Sequence, residues 1–227
     1  MTTLSNMPEI SSRAMATTRD WMWTSFSRSP PMPTYLLAMF VTDYESLETI
    51  YKLDGDRSVK LRFWGRPDQL PHLKESMAVA GDLLNYLVKY VRQPFTLPKI
   101  DLITSPIQLH FEAMENWGLI LFREIRLYHN KETDSEDDSF TLIQIMAHEL
   151  AHQFFGNLVT SNWWIDIWFN ECMSLLFEME STDYANAKRH VSLCSRTPQI
   201  HSIRHEIRRG ANRTADGYLT SGDGRRS

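Results

Sequence analysis

The chain has 227 residues, enough to bury a sizeable core as one large domain or two small ones, and its 42% hydrophobic and 23% charged content is that of an ordinary globular protein. A net charge of −4 excludes a general affinity for nucleic acid, and two cysteines exclude a disulfide framework. The N-terminus MTTLSNMPEISSR lacks the apolar centre of a signal peptide, and no run reaches the ~18 apolar residues of a membrane span, so no membrane segment is expected.

The first 50 residues read as β-rich: WMWTSF and TYLLAMFV are short aromatic and branched runs separated by the extended connector SPPMP, with Tyr35 to Val41 expected as a buried strand. SVKLRFWGRPD alternates as a strand. From Pro71 the apolar residues Leu73, Met77, Ala80, Leu84, Leu87 and Val91 recur at helical spacing until Pro94. KIDLITSPIQL and WGLILF are strand-like again. The acidic segment KETDSEDDS predicts a helix start, with carboxylates favoured at the positive end of the helix dipole and Ser139 as its cap. A cation site is the lesser reading, because the spacing of a calcium loop is missing.

A buried helix is expected over Phe140 to Phe155, stopped by Gly156, with Gln144, His148 and His152 as a polar stripe along it. A second helix is expected from about Ile165 to Met179. After Cys194 the sequence turns polar and basic, with seven arginines against three acids in residues 195–227, and predicts disorder. The sequon at Asn212 and the pair His201 and His205, which lacks a third ligand, lie in this tail and carry no weight.

The segment IMAHELAHQFFGNLVTSNWWIDIWFNE, residues 145–171, carries the chemistry. Two histidines four apart project from one face of a helix and can share one ion. Glu171, after an 18-residue gap, supplies a third ligand and leaves a coordination position open for water. Glu149, directly after the first histidine, is the natural base for that water. Polar groups in so apolar a helix are costly unless they have such a purpose.

AMENWGLI (Ala113 to Ile120), followed by HELAH, the 18-residue gap and NE, resembles the zinc aminopeptidases of the aminopeptidase N type. SPPMPTYLLAMFVTDYE, LRFWGRPD, LPKIDLI and FFGNLVTSNWW resemble blocks of that family in the family's order. The resemblance implies an α+β fold: a thermolysin-like catalytic domain over residues 51–194, of mixed sheet and zinc-binding helices, after the remnant of an all-β domain over 1–50 and before the tail 195–227. It implies one Zn2+ per chain on His148, His152 and Glu171, with Glu149 as general base. Ala113 and Met114 would align the peptide, and Glu115 would bind its free α-amine; a carboxylate there pairs with an ammonium and rejects blocked peptides. Asn116 and Trp117 are read as structural.

Three departures from the family stand out. Glu112 replaces the glycine that usually precedes AMEN, and is expected either to narrow the first pocket or to offer a second anion to a basic side chain. Cys172 and Met173 follow Glu171 in place of glycine and phenylalanine; Cys172 is read as a small helix residue rather than a competing metal ligand. The tyrosine that the family uses against the oxyanion has no match, since Tyr218 stands in a different context. The expected function is therefore removal of N-terminal residues from peptides by a chain truncated at both ends. The alternative is a weak or inactive relative that binds peptide or a partner. The family includes membrane-anchored ectoenzymes and cytoplasmic members, so compartment stays open, as does oligomeric state.

Overall fold

The computed structural model describes residues 1–16, 20–53, 57–106 and 111–188; the tail with Tyr218, Asn212, His201 and His205 lies outside them. Two small antiparallel pairs come first. β1 (Thr2–Ser5) pairs with β4 (Met39–Thr42), and β2 (Glu9–Ala14) pairs with β3 (Met22–Phe26).

A five-stranded sheet follows, in the order β5 (Glu45–Lys52), β6 (Ser58–Gly65), β7 (Lys99–Ser105), β9 (Leu119–Arg123) and β8 (Ala113–Met114). β6, β7 and β9 run parallel, while β5 and β8 are antiparallel to their neighbours at the two edges. β5 spans the boundary expected at residue 50, and its ladder runs to β6 throughout, so the sheet begins at Glu45.

The parallel step from β6 to β7 needs a crossover, and helix α1 (Lys74–Val91) makes it. Its apolar stripe is the predicted one: Leu73, Ala80, Leu84 and Leu87 are buried in the main core. Pro67–Leu73 form a separate 3-10 turn, and Arg92 leaves the helix in the left-handed region at φ 54°. Helices α2 (Glu136–His152) and α3 (Ile167–Lys188) pack against α1 and each other, completing an α+β architecture. None of the described helices is long and apolar enough to cross a membrane.

β7 is buried at every residue, as the centre of a parallel sheet should be, yet it contains Lys99 and Asp101. Buried charges must be paired. Lys99 Nζ donates to Asp101 Oδ2 at 2.7 Å, to Ser5 O at 2.6 Å and to Gly118 O at 2.8 Å. Arg62 grips the same carboxylate at 2.5 and 2.7 Å, and Trp64 Nε1 donates to it at 3.1 Å. Burial pulls Lys99 below its ordinary pKa and the neighbouring Asp101 charge offsets part of that.

Three sequence expectations are corrected. The run Tyr35 to Val41 is not one buried strand: Thr34–Leu36 form a 3-10 turn, and β4 starts only at Met39, with Met39 and Val41 exposed. The cause is Asn6, whose side chain donates to Leu36 O and accepts from Ala38 N, holding the backbone away from a ladder. Helix α2 begins four residues earlier than expected because its cap is Ser135, not Ser139. Ser135 Oγ accepts from Asp138 N at 3.2 Å while Asp138 Oδ2 accepts from Ser135 N at 3.0 Å, a reciprocal capping box. Helix α3 continues nine residues past Met179 because its small residues Ser181, Thr182 and Ala185 bury against neighbours. Tyr184 also stacks on Tyr86 of α1, and Lys188 pairs with Asp82.

Candidate metal centre

His148 and His152 leave the same face of α2, their rings 4.6 Å apart, and Glu171 projects from the first turns of α3 toward them. The three ligand atoms converge. His148 Nε2 and His152 Nε2 are 3.0 Å apart, and Glu171 Oε2 lies 3.6 and 3.5 Å from them. The circumcentre of that triangle is about 2.0 Å from each atom, which is the length of a zinc–nitrogen bond (~2.0–2.1 Å).

The other ring nitrogens fix the tautomers. His152 Nδ1 donates to Phe155 O at 3.0 Å, and His148 Nδ1 faces Glu178 Oε2 at 3.0 Å, so in the neutral rings that a metal requires both Nε2 atoms would present lone pairs inward. Two imidazoles and a carboxylate so arranged could hold one borderline-soft divalent cation. Burial would depress His148, but the carboxylates of Glu171 and Glu178 override it and push it up to about 10. The same pairing with His148 and then His152 drives Glu171 far below the usual carboxylate range.

The chain between the helices must turn tightly behind the second histidine. Gly156 does so at φ 115°, where a Cβ would stand 3.3 Å from His152 Nδ1 and 3.4 Å from Asn170 Nδ2. The helix itself ends at His152, three residues short of the expected Phe155. Glu149 is 5% exposed and its Oε2 has no partner among the described residues. Burial is the main reason its carboxyl is pushed up to about 7, against the pull of His148 and His152.

The AMEN segment flanks α2. β8 pairs with β9 on one side (Ala113 opposite Phe122, Met114 opposite Leu121) and is the sheet edge on the other. Two buried amides join this edge to the histidine helix. Gln153 Nε2 donates to Glu115 O at 3.1 Å while its Oε1 accepts from Gly118 N at 3.0 Å, and Asn157 Nδ2 donates to Glu115 O at 2.8 Å. Asn116 Nδ2 donates to Tyr35 O, and Trp117 is buried in the core.

Glu112 has partners that neither expectation named. Its carboxylate is held by Arg123 at 2.5 Å and by Arg126, both of which keep it ionised well below its ordinary pKa, and its carbonyl accepts from Arg123 N. The side chain fastens β8 to β9 and to the turn after it, and is not a free anion. Cys172 is a buried residue of α3.

Sequence reasoning missed Glu178, Gln153 and Asn157. Glu178 was legible in principle, because it lies seven residues after Glu171 and so two turns along the same helix face, and Gln144 of the polar stripe donates to it at 3.3 Å. Replacing Glu178 with Leu should lower affinity for zinc about 10–100-fold, the usual effect of losing a carboxylate behind a metal-binding histidine. Competition titration against a chelating dye reads this directly; unchanged affinity would show that Glu178 does not tune the site.

Comparison with known proteins agrees with this geometry. The peptidase family M1 domain matches residues 75–215. The chain is 35% identical over 204 residues to aminopeptidase N of Oryctolagus cuniculus, covering 89% of this chain and 21% of that protein. It is 37% identical over 188 residues to aminopeptidase N of Homo sapiens, covering 82% and 19%, and 34% identical over 204 residues to aminopeptidase Q of Mus musculus, covering 88% and 35%. The chain thus spans about a fifth to a third of the length of these relatives. The domain match takes in more than half of the chain, from α1 through the AMEN edge to both histidine- and glutamate-bearing helices, and the protein therefore belongs to peptidase family M1.

Proposed function

We propose that the chain is a zinc metallo-aminopeptidase that removes N-terminal residues from peptides, with one zinc ion held by His148, His152 and Glu171. The observation that carries this reading is the triangle of ligand atoms about 2.0 Å from a common point, with both Nε2 lone pairs aimed into it. Zinc when bound supplies Lewis acidity, which polarises a carbonyl and makes a neighbouring water acidic.

The chain's own residues do the rest. Glu149, buried beside the first ligand with an unpartnered oxygen, takes the proton of the attacking water and returns it to the leaving amine. The open edge of β8 at Ala113 and Met114 accepts the peptide backbone as an added strand. Glu115, at the end of that strand and anchored through its carbonyl to Gln153 and Asn157, pairs with the α-ammonium. Only a peptide with a free N-terminus satisfies this carboxylate, which limits the site to removing terminal residues.

Zinc-loaded chain should bind one ion per molecule and hydrolyse leucine arylamide while leaving N-acetyl-leucine arylamide intact. Cleavage of both substrates at similar rates would sink amine recognition by Glu115. Binding of zinc and leucinamide without turnover would establish instead the rival reading, a peptide-binding relative, since binding needs only the ligands and Glu115.

A further inference from the structure

Tyr35 is far in sequence from every residue assigned above, yet the fold ties its turn to the AMEN loop from two sides. Asn116 Nδ2 donates to Tyr35 O at 3.2 Å, and Asn6 Nδ2 bridges Leu36 O at 2.8 Å and Trp117 O at 2.9 Å. The Tyr35 ring packs on Trp164, with centroids 5.4 Å apart, in the segment that leads into α3 and Glu171. Together with Ile167 and Asn170 these two rings line a cavity of about 240 Å³.

The hydroxyl is the informative atom. It is buried and has no hydrogen-bond partner among the described residues, an arrangement that ordinarily lowers stability. The Asn170 amide, whose oxygen accepts from Ser161 Oγ at 2.8 Å, lies beside it and pulls the phenol the other way, so any contact with it would leave the hydroxyl's own proton unused. Its electrostatic neighbours are anionic: burial first, then the charge of Glu115 and also that of Glu171, hold the phenol above its ordinary pKa. Glu115 itself is fixed only through its backbone, for no hydrogen bond from a described residue reaches its carboxylate. An unused donor therefore stands on a residue whose backbone is bonded to Asn116, the neighbour of Glu115, and the Glu115 carboxylate is an unused acceptor. An ionised carboxylate has room for about four hydrogen bonds, so a phenol and an ammonium can share it.

We propose that Tyr35 is a positioning residue for amine recognition: its hydroxyl donates to the Glu115 carboxylate in the peptide-bound state and fixes it for the α-ammonium. The proposal rests on the aminopeptidase reading and extends it, because it makes the first 36 residues part of the specificity apparatus. Glu115 is half-buried, and the charge-assisted bond formed when its carboxylate meets the hydroxyl is strong. The unpartnered hydroxyl is thus a stability deficit in the free protein that peptide binding removes.

The test is calorimetric binding of leucinamide and of 4-methylpentanamide, its analogue without the α-amine, to zinc-loaded full chain carrying Glu149→Gln, which should hold the metal without turning leucinamide over; this background is the reference called wild type at Tyr35 and Glu115. Wild type should prefer leucinamide, Tyr35→Phe should reduce that preference about 10-fold, and the same substitution in a Glu115→Gln background should change nothing further. The melting temperature of Tyr35→Phe should equal or exceed that of wild type. Full preference in Tyr35→Phe, an equal loss with Glu115→Gln already present, or a destabilised variant would each overturn the role of Tyr35 while leaving amine recognition standing. Absence of any preference in wild type would overturn both.

Discussion

Glu149→Gln should leave zinc bound at one ion per chain and lower hydrolysis of leucine arylamide by roughly 10²–10⁴-fold. The two halves of this expectation have separate physical grounds. Zinc should stay because the proposed ligand atoms belong to His148, His152 and Glu171, and Gln has the shape of the residue it replaces. Turnover should fall because an amide cannot take the proton that a carboxylate takes, and because Glu149 Oε2 has no structural partner whose loss would confuse the result. Metal content after dialysis and initial rates on one preparation check both halves. A rate within about five-fold of wild type would mean that another group is the base.

Asp101→Ala should destabilise the chain by about 3–5 kcal/mol, the usual consequence of removing one partner from a buried ion pair. The carboxylate is fully buried and serves Arg62, Lys99 and Trp64 at once. Without it Lys99, only 3% exposed, keeps two carbonyls but no counter-charge. Arg62 fares better, since it is partly exposed and stacks over Trp64 at 5.3 Å. Urea unfolding followed by tryptophan fluorescence measures the loss; a midpoint unchanged from wild type would show that the network contributes no net stability. Asp101→Asn, which retains hydrogen-bond acceptors, should lose less.

What could be read in the sequence follows the range of the interaction. Helix α1 and the histidine pair are local patterns, spaced by the helical repeat, and they appear where expected. The Ser135 cap was also local. The rule of a hydroxyl followed three residues later by an acid selects Ser135 with Asp138, whereas Ser139 is followed at that distance by Leu142. The clamp from Gln153 to Glu115 was not readable, because its two members are 38 residues apart and a lone glutamine after a histidine says nothing of its partner. Likewise TYLLAMFV has the composition of a strand, and only Asn6, some 30 residues upstream, turns its first half into a 3-10 turn. The AMEN and HELAH segments announced the family, but Glu112 could be understood only once Arg123 and Arg126 stood beside it.

The double grip of Asn6 on Leu36 and Trp117 also bears on the order in which the molecule assembles. Asn6 and Trp117 are 111 residues apart, among the most distant hydrogen-bonded pairs of the described residues, and loops of that length close late. During synthesis β1 and the Tyr35 turn emerge first but cannot be seated until the AMEN loop has left the ribosome and joined the sheet. The segment from β1 to the Tyr35 turn should then join the sheet late and lift from it early. Amide protons in β1 and β4 should therefore exchange through partial opening, well before those of β7, and the Tyr35 turn should open with them while His148, His152 and Glu171 on α2 and α3 remain in place.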